Sequence, residues 1–439
     1  MPRGTDVKLR RVLSAALGAA IVVGGSIGIG ILGIPGVVAG KIGSPLLLLF
    51  AWILGGILVL LGANIYAELG TAFPKAGGPY IYVRRAAGPF GGFATGWSDT
   101  VVSLVASAAQ AAIIGEYLES AWLDRRVIAV AVLLILGIVN WFGLKVGART
   151  QQALSLFKVG GLLVLAMICL AIGGFDLKAH SVSTASLSFA GFVSGLMLIS
   201  ETYAGWNSSV YFSEEDKDTD RNVPRALFWG TGAMMVTYVL VNAGLLATLT
   251  IPQLAASKLP AANAIQSIFG ERSAAIVQAF AIVSVVGIMN VGTMYTPRVL
   301  FAMGRDGLLP SGFASLNRFA TPSWALIACT VPPMVLAVLH TFDFLFAVTA
   351  FLGLAIDASA YVSLFVLRRT AAEVRRPYRA RWYPWAPGLV TLISIGLLVG
   401  FSFTDPGPTL WALAAIAVSW PVYLWMRRKY HAAPIVAAE

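Results

Sequence analysis

Three ionisable residues stand in stretches that are otherwise apolar. Lys158 lies in SLFKVGGLLVL, Glu201 in GLMLISETYAG and Asp357 in FLGLAIDASAYVSLF. A charge among apolar neighbours costs several kcal/mol in a membrane unless it is paired or solvated, so each is read first as a functional group. Lys158 has a competing reading, in which its long stem snorkels and carries the ammonium to water. Asp357 either pairs with a cation across a helix bundle or is protonated and hydrogen-bonded to Ser359 or Ser363 nearby. Asp99 and Thr100 read as the lining of an inner vestibule or as a solvated face.

A second kind of chemistry is carried by the backbone. Residues 24–35 read GGSIGIGILGIP, five glycines and a proline in the middle of the first long apolar run. Interior glycine costs a helix about 1 kcal/mol and proline about 3. Unwinding near Gly28, Ile29 and Gly30 frees N–H groups at the positive end of the helix that follows, which suits a carboxylate. A second run, FVSGLMLISETYAGWNSSVYF, is interrupted by Glu201, Thr202, Gly205, Asn207, Ser208 and Ser209. Unwinding near Tyr203–Trp206 frees carbonyls, which suit an ammonium. Together the two breaks form a receptor for a zwitterion. For the glycines alone, close helix packing is the competing reading.

The elements that must hold these groups follow from composition. Of 439 residues, 58% are hydrophobic and 12% charged, and the mean hydropathy is +0.80. Soluble domains carry about 25% charge, so this is an integral membrane protein. Twelve apolar runs approach or exceed the ~20 residues that span a bilayer. They lie at 12–40, 44–67, 91–118, 126–142, 151–174, 187–212, 225–249, 273–302, 323–340, 344–367, 385–403 and 408–426. Runs 126–142 and 323–340 are the least secure, the first by length and the second because it holds Pro332 and Pro333. With both termini cytoplasmic, 24 of the 31 Lys and Arg fall on the inner side, as the positive-inside rule requires. The net charge of +11 is thereby explained by headgroup contacts, without nucleic acid. The first run is too long for a signal peptide and lacks a small-residue cleavage site, so it is retained as a mature helix. Cys169 and Cys329 lie inside runs and read as small core residues. The breaks fall in runs 1 and 6. Their separation of five is odd, so a second unit would cross the membrane the opposite way, the mark of an inverted-repeat transporter.

These residues carry a family resemblance. GIGILGIP resembles the GSGIF-type motif of the amino acid–polyamine–organocation (APC) superfamily. YAELG followed by FPKAGGPYIY, then AGWNSSVYFSEEDKDTDRNVPRAL, then RVLFAMGRDGLLP, resemble in order the motifs of its L-type amino acid transporter branch. The resemblance covers about residues 12–425. It implies an all-α membrane fold of twelve transmembrane helices, with LeuT-like five-plus-five inverted repeats and two further C-terminal helices. The chain 1–439 is then a single transporter domain, with repeats at about 12–175 and 187–368 and extra helices at about 385–426. It implies amino acid transport by alternating access, as a sodium-independent proton symporter or an exchanger, of small or neutral L-amino acids.

Roles carried over from the family are as follows. Backbone of Ser26, Gly28, Ile29, Gly30 and Ile31 holds the substrate carboxylate, and backbone of Glu201, Tyr203 and Ala204 holds the amine. Asn207 and Tyr238 help bind substrate and couple the two halves. Lys158 reaches toward the place that sodium takes in sodium-coupled relatives. Asp357 is a coupling candidate. Glu201 departs from the branch, which usually has a bulky aromatic or aliphatic residue there. A carboxylate at that gate attracts a cationic side chain or a second amine, or titrates, unless it turns toward polar neighbours outside the site. SEEDKDTDRNVPR reads as a solvated loop, while its family matches imply closed-state salt bridges at an inner gate.

Enzyme motifs are absent. His180, His340 and His431 are dispersed, no phosphate loop, zinc helix or nucleophile elbow occurs, and no cofactor or metal is called for. The expected partners are an amino acid, the lipid bilayer of the plasma (inner) membrane and protons. The loop ESAWLDRR has no cysteine, so no disulfide-linked accessory subunit is expected. A polyamine or cationic amino acid carrier is the alternative, favoured by Glu201 and Asp357. A non-transporting amino acid sensor and a channel rank below it.

Overall fold

The computed structural model describes residues 8–28, 30–119, 123–173, 189–339 and 342–430. Ile29, His180, His340 and His431 therefore lie outside the described residues.

The elements follow the apolar runs closely. In chain order they are α1 (Ala15–Ser26), α2 (Gly30–Ile42), α3 (Pro45–Ala72), α4 (Pro79–Leu118), α5 (Arg125–Trp141), α6 (Leu144–Gly173) and α7 (Phe189–Thr202). A 3₁₀ turn over Ser208–Glu215 leads into α8 (Thr219–Thr248), two short helices α9 (Ile251–Ala256) and α10 (Pro260–Phe269), and α11 (Ala274–Arg305). The chain closes with α12 (Ser323–Leu339), α13 (Phe342–Thr370), α14 (Trp385–Thr404) and α15 (Pro406–Tyr430). Among the described residues there is no strand; isolated bridges pair Leu13 with Asp216 and Leu316 with Pro322.

Among the described residues, eight helices are long and apolar enough to cross a membrane, and nine if α1 and α2 form one span bent by 49°. The runs expected at 126–142, 187–212 and 323–340 correspond to the shorter α5, α7 and α12, of 17, 14 and 17 residues. Run 187–212 is short because its helix stops at the polar cluster. Pro332 and Pro333 are accommodated inside α12 without dividing it. At the head of α4, residues 79–87 form a short helix. Gly88, at φ 79°, and Pro89, which lacks an N–H, kink it away from the rest.

Helices α1, α3 and α6 pack against α8, while α4 packs against α13, α11 and α5. The surface is apolar and much of the polarity is inside, as a lipid-facing exterior requires. Leu156, Phe157, Val164 and Met167 of α6 are exposed, whereas Gln151, Ser155 and Lys158 of the same helix are buried. Asn140 of α5 donates to Asn290 of α11 at 2.9 Å, and Asn290 donates to Gln151 of α6 at 2.9 Å. Gln151 donates to Ser155 at 3.2 Å, whose hydroxyl donates to the Ala20 carbonyl of α1 at 2.7 Å. This chain of bonds ties the first half of the broken span to three neighbours, each bond sheltered from competing water.

Candidate functional site

The two helix breaks meet. Gly205, in the turn after α7, has φ +93°, a left-handed conformation that only glycine adopts without strain. A Cβ on it would run into the carbonyl of Gly25, in the last turn of α1. A Cβ on Gly25 would stand 2.8 Å from the Ser208 hydroxyl and 3.2 Å from the Gly205 carbonyl. Backbone thus lies on backbone where the two interrupted spans cross. Tyr238 of α8 closes the contact: its hydroxyl lies 3.2 Å from the Ser26 carbonyl and 3.1 Å from that of Thr202, one at the end of each first half-helix. Trp52, Tyr203 and Tyr238 pack as an aromatic group behind it.

Lys158 reaches the first break from the other side. It is fully buried, so its stem does not snorkel to water. Its Nζ donates to the carbonyl of Gly24 at 3.0 Å and to that of Ile27 at 2.7 Å. Both carbonyls belong to the C-terminal turn of α1, where helix geometry leaves acceptors unpaired and the dipole is negative. Gly287 of α11 gives the side chain room, since a Cβ there would stand 2.5 Å from Nζ.

A cavity of about 170 Å³ opens at the second break. Its walls include Glu201, Ala204, Gly205, Trp206, Asn207 and Ser208, with Asp99 from α4 and Asp357 from α13. Drug-sized ligands take pockets of about 300–1,000 Å³, so this one suits a small solute. Glu201 and Ala204 remain exposed to that space. Asp357 is held by two donors on one oxygen, the Tyr66 hydroxyl at 2.6 Å and the Asn207 amide at 2.9 Å. The serines that one of its two readings offered as partners turn instead to backbone: Ser359 donates to the Ile356 carbonyl and Ser363 to that of Ser359, each at 2.7 Å.

A family model described as "amino acid permease" matches residues 16–426. The chain belongs to the amino acid permease family. It is 27% identical to the serine/threonine exchanger SteT of Bacillus subtilis (strain 168), over 97% of this chain and 98% of that protein. It is 29% identical to the Homo sapiens b(0,+)-type amino acid transporter 1, over 91% of this chain and 84% of that one. It is 28% identical to the Homo sapiens large neutral amino acids transporter small subunit 2, over 96% and 81% respectively. The resemblance to the APC superfamily and its L-type branch therefore holds along the chain.

Of the residues singled out from this permease's sequence, Glu201, Ala204, Asn207 and Asp357 line the cavity, and Ser26, Tyr203 and Tyr238 lie at the break contact behind it. Gly28, Gly30 and Ile31 are away from the cavity walls: Gly28 faces Ile288, and Gly30 faces Thr202. Asp99 was expected in an inner vestibule or on a solvated face. It is buried to 3% exposure and lines the cavity instead. The correction has a geometric cause, because Asp99 lies ten residues, ~15 Å of helix rise, beyond the Gly88–Pro89 kink. The segment SEEDKDTDRNVPR is only partly a solvated loop. Glu215 is buried to 1% and pairs with Arg298 at 2.9 Å, and Glu214 pairs with Arg305 at 2.8 Å. Asp306 takes Arg84 and the Tyr80 hydroxyl, each at 2.7 Å. Glu68 of α3, in the YAELG motif, binds Arg368 and, at 3.2 Å, Arg376. Sequence reasoning missed the Asn140–Asn290–Gln151 chain, whose members are 11 and 139 residues apart along the chain and carry no shared local pattern.

Proposed function

We propose that this permease is a sodium-independent secondary transporter of amino acids that works by alternating access, by exchange or proton symport. The scaffold of this reading has twelve spans, with five-plus-five inverted repeats at about 12–175 and 187–368 and two added helices at 385–426. It sits in the plasma (inner) membrane with both termini cytoplasmic. In this reading backbone of Ser26–Ile31 takes the substrate carboxylate in a state of the cycle other than the one described, where Gly28, Gly30 and Ile31 are away from the cavity walls, and backbone of Glu201, Tyr203 and Ala204 takes the amine. Asn207 and Tyr238 bind and couple. The relatives support amino acids as cargo, since they are named as a serine/threonine exchanger and as amino acid transporters. Exchange is also the activity in SteT's name.

The observation that carries the sodium-independent reading is the Lys158 contact. An ammonium placed on two carbonyls at the end of a broken helix does the work of a bound cation, joining α6 to α1 without sodium. Replacing Lys158 with alanine leaves those carbonyls without a donor and should abolish uptake while the protein still folds. Uptake of labelled serine or alanine into proteoliposomes, in sodium-free and sodium buffers, tests it. Normal sodium-free uptake by Lys158→Ala, with unchanged gel-filtration behaviour, overturns the reading.

A further inference from the structure

The cavity is lined by three carboxylates, Asp99, Glu201 and Asp357, and by no lysine, arginine or histidine among the described residues. They do not share one role. Asp357 is already satisfied on one oxygen by Tyr66 and Asn207. Among the described residues Glu201 has no hydrogen-bond or ion-pair partner, and it stays exposed to the cavity. Asp99 is the most unusual: its Oδ2 is buried and accepts no hydrogen bond among the described residues, although the residue is almost wholly out of reach of solvent. An orphaned acceptor of this kind is costly, and it costs least when a ligand supplies the donor. The rest of the wall is mainly apolar or aromatic, with Trp206, Tyr211, Tyr295 and Tyr361 presenting rings to the same space and Ser200, Asn207, Ser208 and Ser394 as its neutral polar members. Carboxylates set among aromatic rings recognise organic cations, by charge-assisted hydrogen bonds and by attraction to the ring faces.

A zwitterion neutralises the broken helices and brings no net charge to match three acidic groups. We propose that the cargo carries a further cationic group on its side chain, an alkyl ammonium or guanidinium, and that Asp99 is the residue that reads it. The proposal rests on the amino acid reading above for the α-carboxylate and α-amine, and adds the side-chain class. The α-ammonium lies at the second break beside Glu201 and Ala204, and the distal cation reaches across the cavity to Asp99 on α4. The same walls repel an acidic side chain, which would meet the carboxylates without a counter-cation.

The test is counterflow into proteoliposomes of the full chain without an imposed gradient, with labelled lysine, alanine, glutamate and putrescine supplied one at a time. Wild-type protein should exchange lysine at least tenfold faster than alanine, and glutamate not at all. Asp99→Asn should lower the lysine-to-alanine ratio at least tenfold. Preference for alanine over lysine, or a ratio unchanged in Asp99→Asn, overturns the proposal and leaves amino acid transport standing. Exchange of putrescine without any amino acid supports a cation site at Asp99 but overturns the amino acid reading, since putrescine has no carboxylate. If Asp99→Asn does not fold, thermal stabilisation of the wild-type protein decides. Greater stabilisation by lysine than by alanine supports the proposal, and the reverse order overturns it.

Discussion

Gly205 leaves no room for a side chain on two counts, its left-handed backbone and the Gly25 carbonyl against which it lies. Gly205→Ala is expected to destabilise the detergent-solubilised protein by about 1–3 kcal/mol and to slow exchange. Gly232 on α8, with nothing within 4 Å of its Cβ position, is the control, and Gly232→Ala should leave the apparent Tm unchanged or slightly raised. Equal melting of both variants with the wild type would mean that the two breaks do not bear on one another. At this scale the sequence was informative about residue type and poor on partners. Lys158, Glu201 and Asp357 were conspicuous because each interrupts an apolar run. Nothing local distinguished Asp99, in GWSDTVVS, from a solvated aspartate, because the burial of its unmatched Oδ2 depends on helices that meet it from elsewhere in the chain.

Elements are joined by side chains that sequence reasoning left in loops. Glu215, at the end of the 3₁₀ turn, meets Arg298 of α11, and its backbone carbonyl accepts from the N–H groups of Val12 and Leu13, just ahead of α1. The segments entering α1, leaving α7 and completing α11 are thus pinned at one buried ion pair. Removing one partner of such a pair strands a charge and costs about 3–5 kcal/mol. Arg298→Met should therefore lower the apparent Tm strongly, and Glu215→Gln added to it should recover part of the loss. A double variant no more stable than Arg298→Met would show that the two residues are not energetically coupled. The broken spans themselves were legible, because glycine, proline and clustered polar residues cannot continue an apolar helix without cost. Their contact through Gly25 and Gly205 was not, since 180 residues separate the two positions and no local pattern records which helices cross.

For the molecule as a whole, the distribution of Lys and Arg predicts orientation. In a background with Cys169 and Cys329 replaced by alanine, single cysteines at Lys41 or Lys258 should react with a membrane-impermeant thiol reagent added outside right-side-out vesicles. Single cysteines at Lys217 or Arg375 should react only after permeabilisation. Labelling of both sets from one side would invert or dismantle the proposed topology.

What the sequence determined by itself is one-dimensional in origin. The membrane class follows from the lengths of apolar runs, the proposed orientation from the charges that flank them, and the sites of helix interruption from residues that cannot hold a helix there. Family membership was legible in the same way, through four motifs in fixed order. Tertiary structure decided what happens between elements. It brings the backbones at Gly25 and Gly205 together, places Lys158 on the Gly24 and Ile27 carbonyls, and leaves Asp99 facing a cavity with an unmatched oxygen. The physical reason is that hydropathy and helix propensity act over a few neighbouring residues. Burial and hydrogen-bond satisfaction are sums over every helix that arrives at a point, and those helices come from distant parts of the chain.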